Sequence, residues 1–308
     1  MYYFIVNPNS RSGKGALIWK ELRRTLRQKH ISYKAVFTGY RGHAVKLAAS
    51  VTAKASPEHP VYLIAVGGDG TIQEVLSGVK DLSCIYFGYI PTGSGNDFCR
   101  SMQLPQDPHE ALNCILKRKH IASMDVPVIS IKGRKSHFAI SCGIGFDAAV
   151  CHEVGVTPMK KVLNRVGLGK LVYLFVALKQ LLFLKPIPVT LRMDEERIYP
   201  FHKVYFAAVM NQKYEGGGFK FCPDASPSDG YLDVIVVDGL SKLKVLFCLP
   251  TAFWGKHTQF TGIHIFRCKK VEVFSTVPLA VHKDGESAGI QETFSVSIEK
   301  EPVKIVLP

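Results

Sequence analysis

Two glycine-rich turns, each directly following a short apolar run, constrain the fold of this chain more than any other feature. The turn at residues 67–71 follows the apolar run 61–66, and the turn at 91–98 follows the run 85–90. Such runs are typical of buried parallel strands, and the residues after each turn are predicted to be helical. A strand–loop–helix unit presents backbone N–H groups and a helix N-terminus at the carboxyl edge of a sheet, where phosphate binds. With an aspartate in each turn, the sequence predicts a site for a nucleoside triphosphate and a metal ion.

The alternation of strand and helix signals continues through the first 120 residues. The predicted strands are 2–6, 33–37, 61–66 and 85–90, and the predicted helices are 16–29, 42–54, one from residue 72, and one near 108–118. Repeated strand–helix units predict a parallel sheet covered by helices on both faces. We therefore predict an α/β domain over residues 1–123.

After residue 124 the pattern changes to many short strands with few helices. A hairpin is predicted from 125–131 and 136–141, followed by strands at 189–193, 204–210, 232–237, 271–274, 278–282, 293–299 and 303–307. Short strands of this density predict an antiparallel sandwich or barrel. The predicted boundaries are a mostly β domain over 124–290 and final strands over 291–308.

The composition narrows the class of protein. The chain has 308 residues, 47% of them apolar, and a formal net charge of +14, which suits anionic partners such as a phosphorylated substrate or a membrane surface. The basic residues are not interleaved with aromatics, so nucleic acid is not an expected partner. The apolar stretch 168–184 is interrupted by charged residues and falls short of the roughly 20 residues that span a bilayer. It is predicted to be a packed helix, with contact to the bilayer surface as the alternative.

A third glycine-containing loop follows the first predicted strand. Residues 7–15 carry the Gly, Lys and Ser of a phosphate loop without the spacing of a Walker A sequence. In the 67–71 turn, glycines permit close approach of the backbone to phosphate oxygens, Asp69 can hold Mg²⁺, and the Thr71 hydroxyl can donate to phosphate. Glu74 is predicted to lie near the same phosphate-binding loop, at the carboxyl edge of the sheet. The alternative is a tight turn in which the aspartate caps a helix.

These turns, with Glu74, resemble the bacterial diacylglycerol kinase catalytic-domain family, the soluble lipid kinases related to sphingosine kinases. Further similar motifs are Asn-Pro-x-Ser at 7–10, Gly-x-Gly-x-Asp at 143–147, Pro-x-Ala-x-x-x-Asp-Gly-x-Leu at 223–232 and Asp-Gly-Glu at 284–286. The resemblance extends from residue 5 to about residue 290. It implies a Rossmann-like ATP-binding domain, a β-sandwich domain, and an active site in the cleft between them. It also implies that the last strand or two return to the first domain.

The resemblance implies roles for individual residues, with ATP and Mg²⁺ as cofactors. The implied nucleotide-binding residues are Asn7, Pro8, Asn9, Ser10, Arg11, Lys14, Thr38, Gly67, Gly68, Asp69, Gly70, Thr71, Ile72, Gln73, Gly93 and Ser94. Asp69 and Asp97 would support the catalytic Mg²⁺, and Asp97 would also orient substrate. The Asp229 carboxylate, with the carbonyl groups of Ser226 and Tyr231, would hold a structural Mg²⁺.

Asp284 and Glu286 bear on the mechanism. Phosphoryl transfer to an alcohol needs an acceptor for the hydroxyl proton and positive charge around the γ-phosphate. The resemblance supports one of the two acids as general base and the other as a metal-binding or orienting group, and the sequence does not assign which. The alternative is an ordinary β-turn with surface acids.

A few residues depart from the family pattern or stand outside it. Gln73 replaces the usual Asn, Ser94 replaces a frequent Thr, and His282 makes the approach to Asp284 more polar. His257 and His264 have no metal-ligand spacing with each other or with His282. All three histidines are therefore predicted to be solvated or to lie in the core.

The sequence favours an ATP-dependent lipid kinase that phosphorylates a lipid hydroxyl, with diacylglycerol as the favoured acceptor and phosphatidic acid as product. An NAD kinase-like phosphotransferase and a catalytically silent nucleotide-binding regulator stay open as alternatives. A sphingoid base, ceramide, phosphatidylglycerol or another lipid would need the same phosphate machinery. We expect a cytoplasmic enzyme, peripherally associated with the inner face of the membrane, whose β-sandwich edges offer a surface for a homodimer. The glycine run 216–218 is predicted to form a loop over the substrate.

Overall fold

The computed structural model describes residues 1–11, 13–93, 96–156, 176, 179–183 and 185–308. Within them the first sheet has six strands: β1 (Tyr2–Val6), β2 (Tyr33–Phe37), β3 (Val61–Gly67), β4 (Ile85–Pro91), β5 (His120–Met124) and β15 (Val303–Leu307). Their order is β2-β1-β3-β4-β15-β5, and all neighbours are parallel except β15 and β5. The accompanying helices are α1 (Lys14–Gln28), α2 (His43–Thr52), α3 (Asp69–Gly78), α4 (Asp97–Ser101) and α5 (Pro108–Lys117).

Helices cover both faces of this sheet because its strands are apolar on both sides. Phe4 of β1 packs with Trp19 and Leu22 of α1 in one core, whereas its neighbour Ile5 packs in the other core with Ile72 of α3. Successive side chains of a strand point to opposite faces, so an unbroken apolar run fills both cores. The predicted α/β class is confirmed.

Within the described residues the second sheet has nine strands, and all of its strand pairs are antiparallel. They are β6 (Pro127–Ile131), β7 (Arg134–His137), β8 (Ser141–Gly145), β9 (Ile187–Met193), β10 (Arg197–Met210), β11 (Leu232–Asp238), β12 (Ile263–Cys268), β13 (Lys270–Lys283) and β14 (Glu286–Ile298). Among the described residues, helices α6 (Phe146–Val156) and α7 (Lys242–Thr251) accompany these strands, and residues 179–183 are also helical. The predicted antiparallel, sandwich-like architecture is confirmed.

Two long strands fold this sheet into a sandwich-like shape. The first half of β10 pairs with β9 and its second half pairs with β8 and β11, with a register shift between Val204 and Phe206. Similarly, β13 pairs with β9 over its first half and with β8 over residues 281–283. Bulges bend a strand and increase its twist, so one strand can serve two layers.

Several predicted elements differ from the observed ones. The strands predicted at 271–274 and 278–282 are one strand, β13, because its register shift interrupts the alternation without ending the strand. The second arm of the predicted hairpin, 136–141, is wrong: β6 pairs with the shorter β7, and β8 is a separate strand beside β10. Helices α6 and α7 were not predicted.

The last strand lies inside the first sheet. After β14 the chain crosses back, and β15 inserts between β4 and β5, where Val303 and Ile305 are completely buried. The first sheet is therefore built from both ends of the chain.

Membrane-spanning helices were sought among the described residues, and none is both long and apolar enough to cross a bilayer. Most of the predicted helix at 168–184 lies outside the described residues.

We expect Ile305→Ala to lower the free energy of unfolding of the first domain by about 2–4 kcal/mol, because it leaves a cavity beside β4. Urea unfolding, followed through Trp19 fluorescence in a Trp254→Phe background, measures the change. The neighbouring control Lys304→Ala should cost less than about 1 kcal/mol, since it removes only a surface contact with the Tyr86 ring. Equal effects of the two substitutions would contradict the role given to β15.

Candidate active site

The loops that follow β1, β3 and β4 meet at the carboxyl edge of the first sheet. The Thr92 N–H donates to the Gly67 carbonyl (2.7 Å), which ties the β4 loop to the β3 loop. The Ser10 and Thr92 hydroxyls are 2.7 Å apart, and the Asn7 amide donates to the Thr71 hydroxyl (3.4 Å). The three loops predicted to bind phosphate are therefore joined by hydrogen bonds.

The glycines let the backbones of two loops touch. A Cβ atom on Gly93 would lie 2.8 Å from the Gly68 Cα, closer than such contacts occur in proteins. Helix α3 starts directly after Gly68, which has no side chain to cap it, and the Thr71 N–H donates to the Gly68 carbonyl (2.9 Å). The N-terminus of α3 therefore lies at this edge, where the helix dipole favours an anion.

The other predicted nucleotide-binding residues surround this edge. The Asn9 N–H donates to the Asn7 side chain, the Pro8 carbonyl accepts from the start of α1, and the Thr38 N–H donates to the end of β1. Arg11 and Lys14 are exposed beside the first loop. Ser94 lies outside the described residues.

Three side chains of α3 point away from the loops. Ile72 is completely buried in the core, and Gln73 donates to the Ser77 hydroxyl (3.3 Å), so these two offer the nucleotide only their backbone. Glu74 accepts hydrogen bonds from the N–H groups of Gly42 (2.7 Å) and Ala44 (3.2 Å) at the start of α2. Glu74 therefore caps α2, a role that its position after the glycine turn did not predict.

Asp69 is the first residue of α3 and carries an unusual carboxylate. Burial raises the pKa of Asp69 to about 7, and the negative charges of Asp97 and Asp284 act in the same direction. Its Oδ1 atom is buried and has no hydrogen-bond partner among the described residues. An unpaired buried carboxylate oxygen beside other acids fits a divalent cation, because a bound cation would offset both the burial and the repulsion.

Asp97, the first residue of α4, connects the two domains. One carboxylate oxygen accepts from Arg100 (2.5 Å), and the other accepts from the Gly217 N–H (2.7 Å), which belongs to the glycine run 216–218. Asp97 is buried despite its charge. The glycine run thus lies against a predicted catalytic residue, as expected of a loop at the active site.

Asp284 occupies a two-residue turn between β13 and β14, in which Asp284 (φ 46°) and Gly285 (φ 74°) both have positive φ. This is the backbone of a tight Asp-Gly hairpin. The buried Asp284 carboxylate accepts from the N–H groups of Ala139 (2.8 Å), Ile140 (2.7 Å) and Ser141 (3.0 Å). Burial raises the pKa of Asp284, while these three hydrogen bonds oppose the rise.

Glu286 differs sharply from Asp284. It is exposed, and its carboxylate forms an ion pair with Arg41 (3.0 Å) across the domain boundary. A Cβ atom on Gly70 would lie 3.4 Å from the Glu286 Cγ, so Glu286 packs over the first turn of α3. Because the Asp-Gly step is a turn, the two acids occupy different environments instead of sharing one face.

A buried cluster of three ionisable side chains lies behind Asp284. The completely buried His282 has its Nε2 atom 2.8 Å from the Asp147 carboxylate and 3.4 Å from that of Glu215. Burial alone would lower the pKa of His282, but the two carboxylates raise it to about 9. Gly143 makes room for the cluster, since a Cβ there would lie 2.4 Å from the Asp147 carboxylate.

The cluster could also hold a metal ion, because its ligand atoms lie within 4.8 Å of one another. The short contact between His282 and Asp147 is the distance of a charge-assisted hydrogen bond, so a protonated imidazole between two carboxylates already explains the arrangement. The sequence predicted that His282 is either solvated or in the core, and it did not indicate the two acidic partners. The family-like Gly-x-Gly-x-Asp motif at 143–147 was the available signal.

The residues predicted to hold a structural Mg²⁺ lie on the surface of the second domain. The Asp229 carboxylate pairs with the Arg267 guanidinium and also accepts from the Tyr231 N–H (3.0 Å). The Ser226 hydroxyl is 3.4 Å from that of Ser228. A cationic side chain thus contacts the carboxylate assigned to this ion, and the magnesium site there stays a prediction.

Comparison with known proteins connects this geometry to described families. Residues 1–128 match the diacylglycerol kinase catalytic domain, and residues 141–306 match the YegS C-terminal NAD kinase beta sandwich-like domain. The proposed lipid kinase YtlR of Bacillus subtilis is 29% identical over 99% of this chain and 98% of its own length. A diacylglycerol kinase of Mycobacterium tuberculosis is 29% identical over 91% of this chain and 87% of its own length.

Solved structures share the fold. A proposed diacylglycerol kinase from Bacillus anthracis has a TM-score of 0.75 at 22% identity, and the match covers 100% of this chain and 97% of the other. An NAD kinase from Archaeoglobus fulgidus in complex with ATP has a TM-score of 0.54 at 14% identity, over 99% and 93% of the two chains. At these identities the likeness shows the fold alone.

Replacing Asp69 by Asn should raise the melting temperature in metal-free buffer at pH 8, by about 2–4 °C for each kcal/mol relieved. The folded pKa of Asp69, about 7, lies above its ordinary value of 3.8, so the wild-type chain loses stability as pH rises from 3.8 to about 7. The advantage of Asn should therefore be smaller at pH 5 than at pH 8 and vanish below pH 3.8, where the carboxyl group is protonated in both the folded and the unfolded state. Differential scanning calorimetry against the exposed control Glu196→Gln measures it, and a lower melting temperature at pH 8 would contradict this account.

His282→Gln should lower the melting temperature, and most strongly at low pH. The folded pKa of His282, about 9, lies above the ordinary value of 6.5, so its stabilising contribution is complete below pH 6.5 and is lost as pH rises through 9. The melting-temperature deficit of His282→Gln should therefore be large at pH 6 and small at pH 9.5. The exposed His59→Gln is the control, and a constant deficit across this range would argue against a protonated His282.

Proposed function

The chain belongs to the diacylglycerol kinase catalytic-domain family, and from that premise we propose that it transfers the γ-phosphate of MgATP to the hydroxyl group of a lipid. The observation that carries the proposal is the meeting of acids from both domains. Asp69 of the first domain lies close enough to Asp97 and to Asp284 of the second domain that these two charges raise the Asp69 pKa. A kinase needs such a meeting, because one domain holds the phosphate donor and the other presents the acceptor.

The first domain would bind the nucleotide. The three joined loops supply backbone N–H groups and the N-terminus of α3, and the exposed Arg11 and Lys14 add positive charge. Asp69 and Asp97 would hold Mg²⁺, and its fit is supported by the unpartnered Oδ1 atom of Asp69. Bound there, the ion would neutralise the negative charge on the phosphates.

We assign Asp284 as the general base. Its two oxygens offer about four acceptor positions, and the three backbone hydrogen bonds leave one position on Oδ2 for the hydroxyl of the acceptor. Its raised pKa also suits an acid that must take up a proton near neutral pH. Glu286 is exposed and paired with Arg41, which suits a group that orients the two domains or the substrate.

Diacylglycerol is the favoured acceptor, and phosphatidic acid would be the product. Support comes from the relatives named diacylglycerol kinase. Kinases of other lipids would need the same residues around the phosphate donor. The identity of the acceptor therefore rests on the relatives alone. Such an enzyme would meet its substrate at the membrane surface, which agrees with its positive net charge.

NAD phosphorylation is the competing reaction, because the NAD kinase from Archaeoglobus fulgidus shares the fold. The Pro-Thr-Gly-Ser-Gly-Asn-Asp-Phe turn at 91–98 and the Asn-Pro opening at 7–8 fit the lipid kinases better. We therefore place the lipid hydroxyl first.

The test is transfer of labelled γ-phosphate from MgATP into mixed lipids, with NAD offered in parallel. Wild-type protein should label a lipid, and Asp284→Asn should lower the rate by about 10²–10⁴-fold, the usual contribution of a general base. The exposed control Glu196→Gln should leave the rate unchanged.

Measuring ATP binding alongside phosphate transfer distinguishes a lost general base from a lost nucleotide site. Asp284→Asn should bind ATP as tightly as wild type by calorimetry, because Asp284 contacts the acceptor and not the nucleotide. Labelled NAD in place of lipid would establish the NAD kinase alternative. ATP binding without transfer to any acceptor would indicate the regulator.

A further inference from the structure

Helix α7 exposes an apolar face. Leu243, Leu246 and Phe247 occupy positions i, i+3 and i+4, and Leu243 and Phe247 are 63% and 68% exposed. The opposite face packs into the second domain through Val245 and Cys248. A surface helix normally places charged and polar residues on its outer face, so an outer face of leucine and phenylalanine indicates contact with something apolar.

The short helical turn Ala252–Trp254 extends the same surface. Phe253 is exposed, and Trp254 is 69% exposed. We call the five side chains together the docking face: Leu243, Leu246, Phe247, Phe253 and Trp254. Clustering of large apolar side chains over a dozen residues distinguishes this surface from singly scattered exposed residues, which are common on any protein.

Lysines flank the docking face. Lys242 and Lys244 lie in the first turn of α7, and Lys256 follows the helical turn. From residue 239 to residue 271 the sequence contains no aspartate or glutamate. Lys242 donates to the Leu182 carbonyl and so has a structural contact, whereas the exposed Lys244 places a cation at the helix N-terminus, where it opposes the helix dipole.

We propose that the docking face binds an anionic bilayer surface. The leucine and aromatic side chains would enter the boundary between headgroups and acyl chains, while the exposed Lys244 and Lys256 would contact lipid phosphates. A second copy of this chain fits the surface less well, because a two-fold contact would bring both sets of lysines together. Vesicle binding does not depend on the proposed phosphoryl transfer; its benefit to catalysis rests on the proposed function.

The docking face connects to the predicted active site. The Phe253 ring stacks on Phe219 with centroids 4.1 Å apart, and the Lys220 N–H donates to the Ala252 carbonyl (2.8 Å). Within the same segment, the Gly217 N–H donates to Asp97. A bilayer held at this face would therefore lie next to the loop that contacts a proposed catalytic residue.

The first experiment is co-sedimentation with phosphatidylcholine vesicles, with and without 30 mol% phosphatidylglycerol. Wild-type protein should bind the anionic vesicles, and binding should weaken as salt screens the lysines. Phe247→Ser/Trp254→Ser should weaken binding by at least about tenfold, because each aromatic side chain loses its burial in lipid. Lys244→Glu/Lys256→Glu should weaken it by roughly fivefold or more for each lysine, because both side chains are exposed.

Matched controls on another surface are Ile198→Ser, at an equally exposed apolar side chain, and Lys135→Glu. Both should bind like wild type, and melting temperatures should confirm that all variants fold. Quenching of wild-type fluorescence by brominated lipid, absent in Trp254→Phe, should show that Trp254 enters the bilayer.

Two results would overturn the proposal. One is that wild-type protein does not bind the vesicles, or binds them no more tightly than the variants with docking-face substitutions. The other is a wild-type dimer in gel filtration that becomes a monomer in Phe247→Ser/Trp254→Ser, which would show that a second copy covers the face. If Phe247→Ser/Trp254→Ser loses kinase activity on vesicles but keeps it on short-chain diacylglycerol in detergent, docking contributes to catalysis. If the wild-type protein binds vesicles but has no kinase activity, only the proposed function is rejected.

Discussion

The hydrogen bonds that hold the Asp284 carboxylate are the constraint on which the site depends. Three consecutive backbone N–H groups, from Ala139 to Ser141, fix a charged side chain in a buried position at the tip of the β13–β14 hairpin. A buried carboxylate without such hydrogen-bond donors would destabilise the folded protein, so the hairpin tip and the 139–141 segment must stay together. Because the tip also carries Glu286, which pairs with Arg41, the same contacts set how the two domains face each other.

Much of the fold follows from local sequence signals. Strands β1 and β2 were predicted with their observed bounds, because each is a five-residue run of aromatic and aliphatic residues, interrupted only by Lys34 in β2. The loops after β1, β3 and β4 were expected at one edge, since parallel strands must present their carboxyl ends together. Helix α7 was missed because its two faces are both apolar and it contains Pro250, so the usual amphipathic pattern is absent.

What the sequence could not supply is pairing between distant residues. His282 meets Asp147 and Glu215 from positions 135 and 67 residues away in the chain, and only the sheet topology brings them together. Likewise, the turn at Asp284 separates two acids that an extended strand would have placed on one face. Asp69 was expected as a metal ligand, but the cost of its burial beside two other acids could be seen only in three dimensions.

The position of β15 has a consequence for biosynthesis. During translation, the ribosome releases all the strands of the second sheet before it releases residues 303–307, which separate β4 from β5 in the first sheet. Until then, the first sheet has a gap between β4 and β5 and an unpaired strand edge on β4. The sheet that is begun first is thus finished last, because it cannot be complete before residues 303–307 have emerged.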